Sequence, residues 1–327
     1  MVASVVVVAS VAFVVAGFLA SEPQQARSTL GPPPLGLDLY LRIPPENPPT
    51  AGAIAIGERL FFDPLLSADR SILCASCHLP ERGFADSLST SRGVFGRRTS
   101  RNAPSLLNAG YGESFFWDGR IRTLEEQVLQ PIMNPNEMGL PLEDLVVRLD
   151  GTPEYRGAFV TSFGERPTPQ TIGMALASYV RTLRSGNSPA DRYASGDESA
   201  LGPDARAGFE LFREKANCVA CHNRPLLSDE RFHNTGVGWG STDLGRFQVT
   251  GQVSDRGKFN TPSLRNVART APYMHDGSMD TLEEVIEHYD RGGNPNPNLD
   301  SRIAPLQLNP DEKKQLAAYL RALTGLP

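Results

Sequence analysis

Two pentapeptides hold the residues best able to do chemistry. The four cysteines fall as Cys74/Cys77 and Cys218/Cys221, each pair followed at once by a histidine, giving C-A-S-C-H at 74–78 and C-V-A-C-H at 218–222. Thiols at i and i+3 stand one turn apart on one face, where they can add across the two vinyl groups of a haem. The imidazole after the second thiol then reaches the iron from below. A zinc site would need a further Cys or His pair at ligand spacing, and a thioredoxin-like pair would need a βαβ frame; the sequence offers neither. Cys74, Cys77, Cys218 and Cys221 therefore read as attachment points for two covalent haem c groups, with His78 and His222 as iron ligands. No cysteine is left for a disulfide.

The second source of information is an internal repeat. Residues 102–128 align without a gap on 260–286, a shift of 158, and 11 of 27 positions are identical. The shared core is N-x-P-S-L-x-N, then D-G, then T-L-E-E, and each copy lies downstream of its own C-x-x-C-H. A duplicated one-haem unit is the simplest account, so differences between the copies mark divided labour.

These residues must be held by a mostly α chain. Thr168 caps a helix over 168–183 with Pro169 in the first-turn position that tolerates it. Thr281 with Glu284, and Asn309 with Glu312, begin helices in the same manner, and Gly325 is read as the stop of the last one. Residues 1–20 carry no charge and end abruptly at a polar boundary, which reads as a secretory signal or an N-terminal membrane anchor, and so as export to the periplasm. Residues 21–50 are crowded with proline and should form an extended spacer or strap. The Gly, Ser, Asp and Pro of 185–204 suggest a boundary between a domain at 51–190 and one at 200–327. A net charge of −5 argues against nucleic acid and is compatible with a basic protein partner.

From Cys74 onward the sequence resembles the bacterial di-haem cytochrome c peroxidase and MauG family. The resemblance rests on R-N-A-P-S-L-L-N (101–108), F-W-D-G-R (116–120), L-E-E-Q (124–127), N-P-x-E-M (134–138) and H-D-G (275–277). It implies two cytochrome c-like helical domains packed at a shared interface, the first haem handling peroxide and the second relaying electrons. By motif, Trp117 would bridge the haems, Glu137 would move the proton during O–O cleavage, and Gln127 would help place peroxide. The family's calcium between the domains would fall on Asn102, Thr270 and Pro272, whose oxygens suit a hard cation.

Two departures from the peroxidase pattern refine this. The loop after the first haem motif, 79–104, contains no His, Met, Tyr or Lys, so the first iron is expected to be open without reductive activation. At the place where the usual peroxidase has a methionine ligand to the second iron stands Tyr289, fourteen residues after His275, as in MauG-like members. The 158-residue shift puts Tyr289 on Pro131, which has no ligating atom. His288, His275, Met274 and Met279 are the neighbouring alternatives, and His233 is a loop histidine that could meet a propionate. The expected activity is reduction of hydrogen peroxide with electrons from a small cytochrome c or cupredoxin. The alternatives are a MauG-like oxidase that modifies side chains of a partner protein, and a plain di-haem electron carrier.

Overall fold

The computed structural model describes residues 29–37, 41–223 and 225–325. The export or anchor segment expected at 1–20 lies outside them, and among the described residues no helix is long and apolar enough to cross a membrane.

The chain is mostly helical, in short pieces joined by irregular connections. The first half holds α1 (Ala51–Phe61), α2 (Leu124–Gln127), α3 (Gln130–Met133), α4 (Leu142–Asp150), α5 (Pro153–Phe163) and α6 (Pro169–Val180). After α7 (Pro189–Ala194), the second half holds α8 (Pro203–Arg213), α9 (Phe247–Thr250), α10 (Leu282–Asp290) and α11 (Pro310–Arg321). A small ribbon pairs β1 (Phe232–His233) antiparallel with β2 (Phe259–Asn260), Phe232 opposite Asn260. The hydroxyls of Thr168 and Thr281 and the side-chain carbonyl of Asn309 accept from first-turn N–H groups, starting α6, α10 and α11. Helix α11 ends at Arg321, four residues short of the expected stop at Gly325. Gly325 instead donates its N–H to Asn266 Oδ1, and a Cβ there would stand 2.2 Å from the Gly186 carbonyl oxygen.

Each half is built on one close helix crossing. A Cβ at Gly57 on α1 would lie 2.0 Å from the Ala175 carbonyl oxygen of α6, and one at Gly208 on α8 would lie 1.9 Å from the Gln315 carbonyl oxygen of α11. Only glycine permits such an approach. Around the first crossing lies a core that includes Leu60, Ile132, Leu145, Phe159 and Ile172; around the second, one that includes Phe212, Ile286, Leu316 and Tyr319.

The halves meet through bonds that repeat the duplication. The Asn102 N–H donates to the His275 carbonyl at 2.8 Å, and the Asn260 N–H to the Trp117 carbonyl at 2.7 Å. Under the shift of 158 these are the same bond seen from opposite sides.

The described part of the proline-rich segment runs as a strap across both halves. Leu37 and Leu41 bury themselves with Tyr111 of the first half and Leu226 of the second. Arg181 Nε donates to the Arg42 carbonyl and Arg265 Nη2 to that of Gly36. The stretch 185–204 is not a loose tether: Ser188 caps α7, and the buried Asp191 carboxylate takes both terminal nitrogens of Arg265, at 2.9 and 3.1 Å.

Candidate haem sites and the wall between them

Both C-x-x-C-H motifs fold as a single tight turn, in which the N–H of His78 bonds to Cys74 O and that of His222 to Cys218 O. Each imidazole is then aimed by its own loop. His78 Nδ1 lies 3.0 Å from the Phe84 carbonyl and His222 Nδ1 3.0 Å from that of Leu227. A proton fixed on Nδ1 leaves the lone pair of Nε2 for a metal. Burial pushes both histidines below their ordinary pKa, so each ring is held in its neutral form. Burial also pushes the Cys74 and Cys218 thiols up to about 12, and no cysteine is in a disulfide. Buried neutral thiols are poorly suited to binding zinc as thiolates.

His78 and Cys77 open on a cavity of about 680 Å³. Glu137, Gln127 and Pro131 line it together, brought there by α2, α3 and the turn after α3. Among its lining residues His78 is the one histidine, and there is no Met, Tyr or Lys. Burial raises the Glu137 carboxyl above its ordinary pKa, against the opposing pull of the Asn134 amide and the Arg120 charge.

His222, Cys218 and Cys221 line a second cavity, of about 240 Å³, together with Tyr289, Met274 and His275. Burial raises the Tyr289 phenol above its ordinary pKa. Its neighbour His288 is turned aside, with Nε2 2.9 Å from the Thr235 carbonyl, and Met279 does not line the cavity. His275 stacks on Phe259 with ring centroids 3.5 Å apart. His233 is held between carboxylates, Nδ1 2.7 Å from Asp300 and Nε2 2.9 Å from Asp229.

The two cavities share a wall, made by the N-x-P-S strings of both repeats, 102–105 and 260–263, together with Trp117 and Arg265. Trp117 donates its indole N–H to the Asn102 carbonyl at 2.9 Å. Of the three residues matched to calcium, all line the second cavity. Asn102 uses its amide N–H on Leu88 O and Thr270 its hydroxyl on Val267 O, so their side chains offer only neutral acceptor oxygens.

Three residues inside the quoted motifs emerge only from the structure. Asn134 Nδ2 donates to Glu137 Oε1 at 2.6 Å. Arg120 Nη1 pairs with Asp118 at 3.0 Å and its guanidinium lies 3.5 Å over the Phe116 ring. Arg101 joins the halves beside Trp117, pairing with Asp118 at 2.6 Å and with Asp243 at 2.7 Å. R-N-A-P, W-D-G-R and N-P-x-E-M contain these residues, but nothing in a linear string gives their partners.

The chain is similar to several known proteins over most of its length. The family described as di-haem cytochrome c peroxidase matches residues 51–199. The chain is 42% identical over 288 residues to methylamine utilization protein MauG of Methylorubrum extorquens, covering 87% of this chain and 81% of that one. It is 36% identical over 292 residues to cytochrome c551 peroxidase of Nitrosomonas europaea, covering 86% and 82%. Among solved structures, a MauG-like protein associated with microbial copper homeostasis superposes with a TM-score of 0.82 at 35% identity, over 88% of this chain and 95% of that one. The di-haem peroxidase BthA of Burkholderia thailandensis does so with a TM-score of 0.75 at 26% identity, over 91% and 94%. The chain thus belongs to the di-haem cytochrome c peroxidase family of haem oxidoreductases acting on peroxide.

Proposed function

We propose that the protein reduces hydrogen peroxide to water in the first cavity, with electrons relayed through the second from a small donor protein such as a cytochrome c or a cupredoxin. The observation that carries this reading is the asymmetry between duplicate sites: Pro131 lines one cavity and its repeat partner Tyr289 the other. One site then has room for peroxide, and the other has on its wall a phenol that would close an iron bound at His222.

Bound covalently at Cys74 and Cys77, haem supplies an iron position at which peroxide can bind and accept electrons. The chain's own residues do the rest. With haem held there, the ionised Glu137 carboxylate would take a proton from one peroxide oxygen and deliver it to the other, which would leave as water. Two electrons and two protons per peroxide complete two water molecules. The Gln127 amide, on the same cavity wall, hydrogen-bonds and orients the peroxide. Trp117, on the wall common to both cavities, is the route by which electrons cross. A calcium ion held through Asn102, Thr270 and Pro272 would brace that wall with neutral oxygens. The chain would work in the periplasm after export directed by residues 1–20.

A second reading is a MauG-like oxidase, which uses peroxide to oxidise side chains of a partner protein. Tyr289 favours it, since on binding iron its oxygen would lose its proton and, as a hard anionic ligand, would stabilise oxidised iron there, and so does the 42% identity to a MauG protein. Turnover of peroxide with a reduced cytochrome c separates the two.

The test of the shared premise is a low-temperature EPR spectrum of the ferric holoprotein. One high-spin and one low-spin signal are expected. Two low-spin signals would mean both irons are closed and would sink the proposal of a ready peroxide site.

A further inference from the structure

We propose that Asn134 is the positioning residue for Glu137, fixing one carboxylate oxygen so that the other alone carries the proton. This rests on Glu137 being the proton carrier, and adds what aims it.

Asn134 ties down Glu137 at both ends. Its Nδ2 donates to Glu137 Oε1 at 2.6 Å, and its backbone carbonyl accepts the N–H groups of Glu137 and Gly139 at 2.9 and 3.0 Å. The amide orientation is set from its other end, because Asn134 Oδ1 accepts the Asn136 N–H at 3.0 Å. A flipped amide would face that N–H with a second donor and Glu137 with a second acceptor. Among the described residues no hydrogen bond reaches Glu137 Oε2, and the side chain borders the first cavity. Oε1 is occupied by a donor, so Oε2 is the free basic atom.

A second clamp comes from the loop after the first haem motif. The Val94 N–H donates to the Glu137 carbonyl at 2.8 Å, and Arg97 Nη1 donates to the Pro135 carbonyl at 2.9 Å. The approach needs Gly93, where a Cβ would stand 2.1 Å from the Asn136 carbonyl oxygen and 2.7 Å from that of Glu137. The ionisable groups that act on Glu137 are Arg120, which favours its charge, and Cys74 and Cys77, whose sulfurs become neutral thioethers once haem is attached. In the holoprotein, Asn134 and Arg120 are left to offset the burial of this carboxyl.

The experiment uses the di-haem holoprotein with Asn134→Leu, Asn134→Asp and Glu137→Gln. Asn134→Asp keeps the turn onto Asn136 but replaces the donor facing Glu137 with an acceptor, so it decides the matter if the leucine variant fails to fold. Two quantities are followed against pH: the peroxide reaction rate, and the rate at which cyanide, which must lose its proton to bind, attaches to the ferric first haem. Both Asn134 variants should slow each rate by about tenfold to a hundredfold, as expected when a catalytic group is displaced by about 1 Å. The carboxyl limb of both profiles should move to higher pH, further for Asn134→Asp. Glu137→Gln should be slow with no such limb. If Glu137→Gln matches the unaltered protein, Glu137 is not the proton carrier. If Glu137→Gln is slow but the Asn134 variants keep rate and midpoint, or lose rate with midpoint and cyanide binding unmoved, Asn134 does not position it.

Discussion

Trp117 and His275 are the same residue of two repeats, and their rings meet edge to face with centroids 6.4 Å apart. The carbonyl of each accepts the N–H of the asparagine that opens the opposite repeat. Duplication thus put equivalent residues at the centre of the interface, and divergence made one an indole on the common wall and the other an imidazole in the second cavity.

Replacing Trp117 by Phe keeps the apolar ring and removes the indole N–H that Asn102 O accepts. Stopped-flow spectra of the holoprotein should show peroxide still reacting at the first haem while oxidation of the second lags behind. The unpaired carbonyl should cost about 1 kcal/mol of stability. Unchanged kinetics at the second haem would remove Trp117 from the electron route.

Tyr289→Phe deletes the phenol oxygen from the second cavity. The low-spin EPR signal should give way to a high-spin one, and the potential of that haem should rise. His288 cannot step in, because it is bonded to Thr235 O and lies about 100° further round the helix. An unaltered low-spin signal would place the ligand on another residue.

The carboxyl of Glu137 sits above its ordinary pKa because burial disfavours its charge. A base must start ionised, so the peroxide rate should rise with pH through a carboxyl titration above the usual range. Glu137→Gln should abolish that rising limb and lower the rate by about 10²–10⁴-fold, the range for general acid–base catalysis. Steady-state rates between pH 4 and 8 measure both.

Asp191 and Arg265 form an ion pair with both side chains 2% exposed. Burial raises the carboxyl, but the Arg265 bonds and charge and the Ser188 bonds prevail and leave it below 3.8. A depressed carboxyl contributes stability that is fully present above the unfolded pKa and is lost as pH falls through the folded one. Unfolding midpoints should therefore drop in acid below pH 3.8. Asp191→Ala should cost about 3–5 kcal/mol at neutral pH, since it strands a buried guanidinium.

The helix crossings give a paired test. Gly57→Ala and Gly208→Ala should each destabilise by about 1–3 kcal/mol or more, because a methyl is forced against a helix carbonyl. Gly157→Ala, in α5 with nothing within 4 Å of the added carbon, should instead stabilise by about 0.5–1 kcal/mol. Denaturant midpoints of the three variants give the comparison.

What the sequence made legible is local or periodic. Cysteine spacing picked out two turns that each border a cavity, the Thr168, Thr281 and Asn309 caps marked helix starts that the structure has, and the repeat pointed to Pro131 against Tyr289. What escaped depends on partners far away in the chain. The composition of 185–204 reads as soft, yet α7 is fixed there by a residue 74 positions on. Gly325 has the type of a helix stop but is needed for close packing against Gly186. Asn134 lies in a quoted motif, and only the structure gives its bonds to Glu137 and Asn136.

The strap has a consequence for the order of folding. The strap residues 30–37 and 41–47 come early among the described residues, yet they are seated by Arg181, Arg184 and Arg265, at sequence separations of 139, 154 and 229. Contacts so distant close late, because a long loop must be ordered first. The earliest described residues to emerge are thus among the last to settle. Until they do, the seat for Leu37 and Leu41 beside Tyr111 and Leu226 is an exposed apolar patch across both halves. A chaperone's window on this protein would close only when its front end folds back.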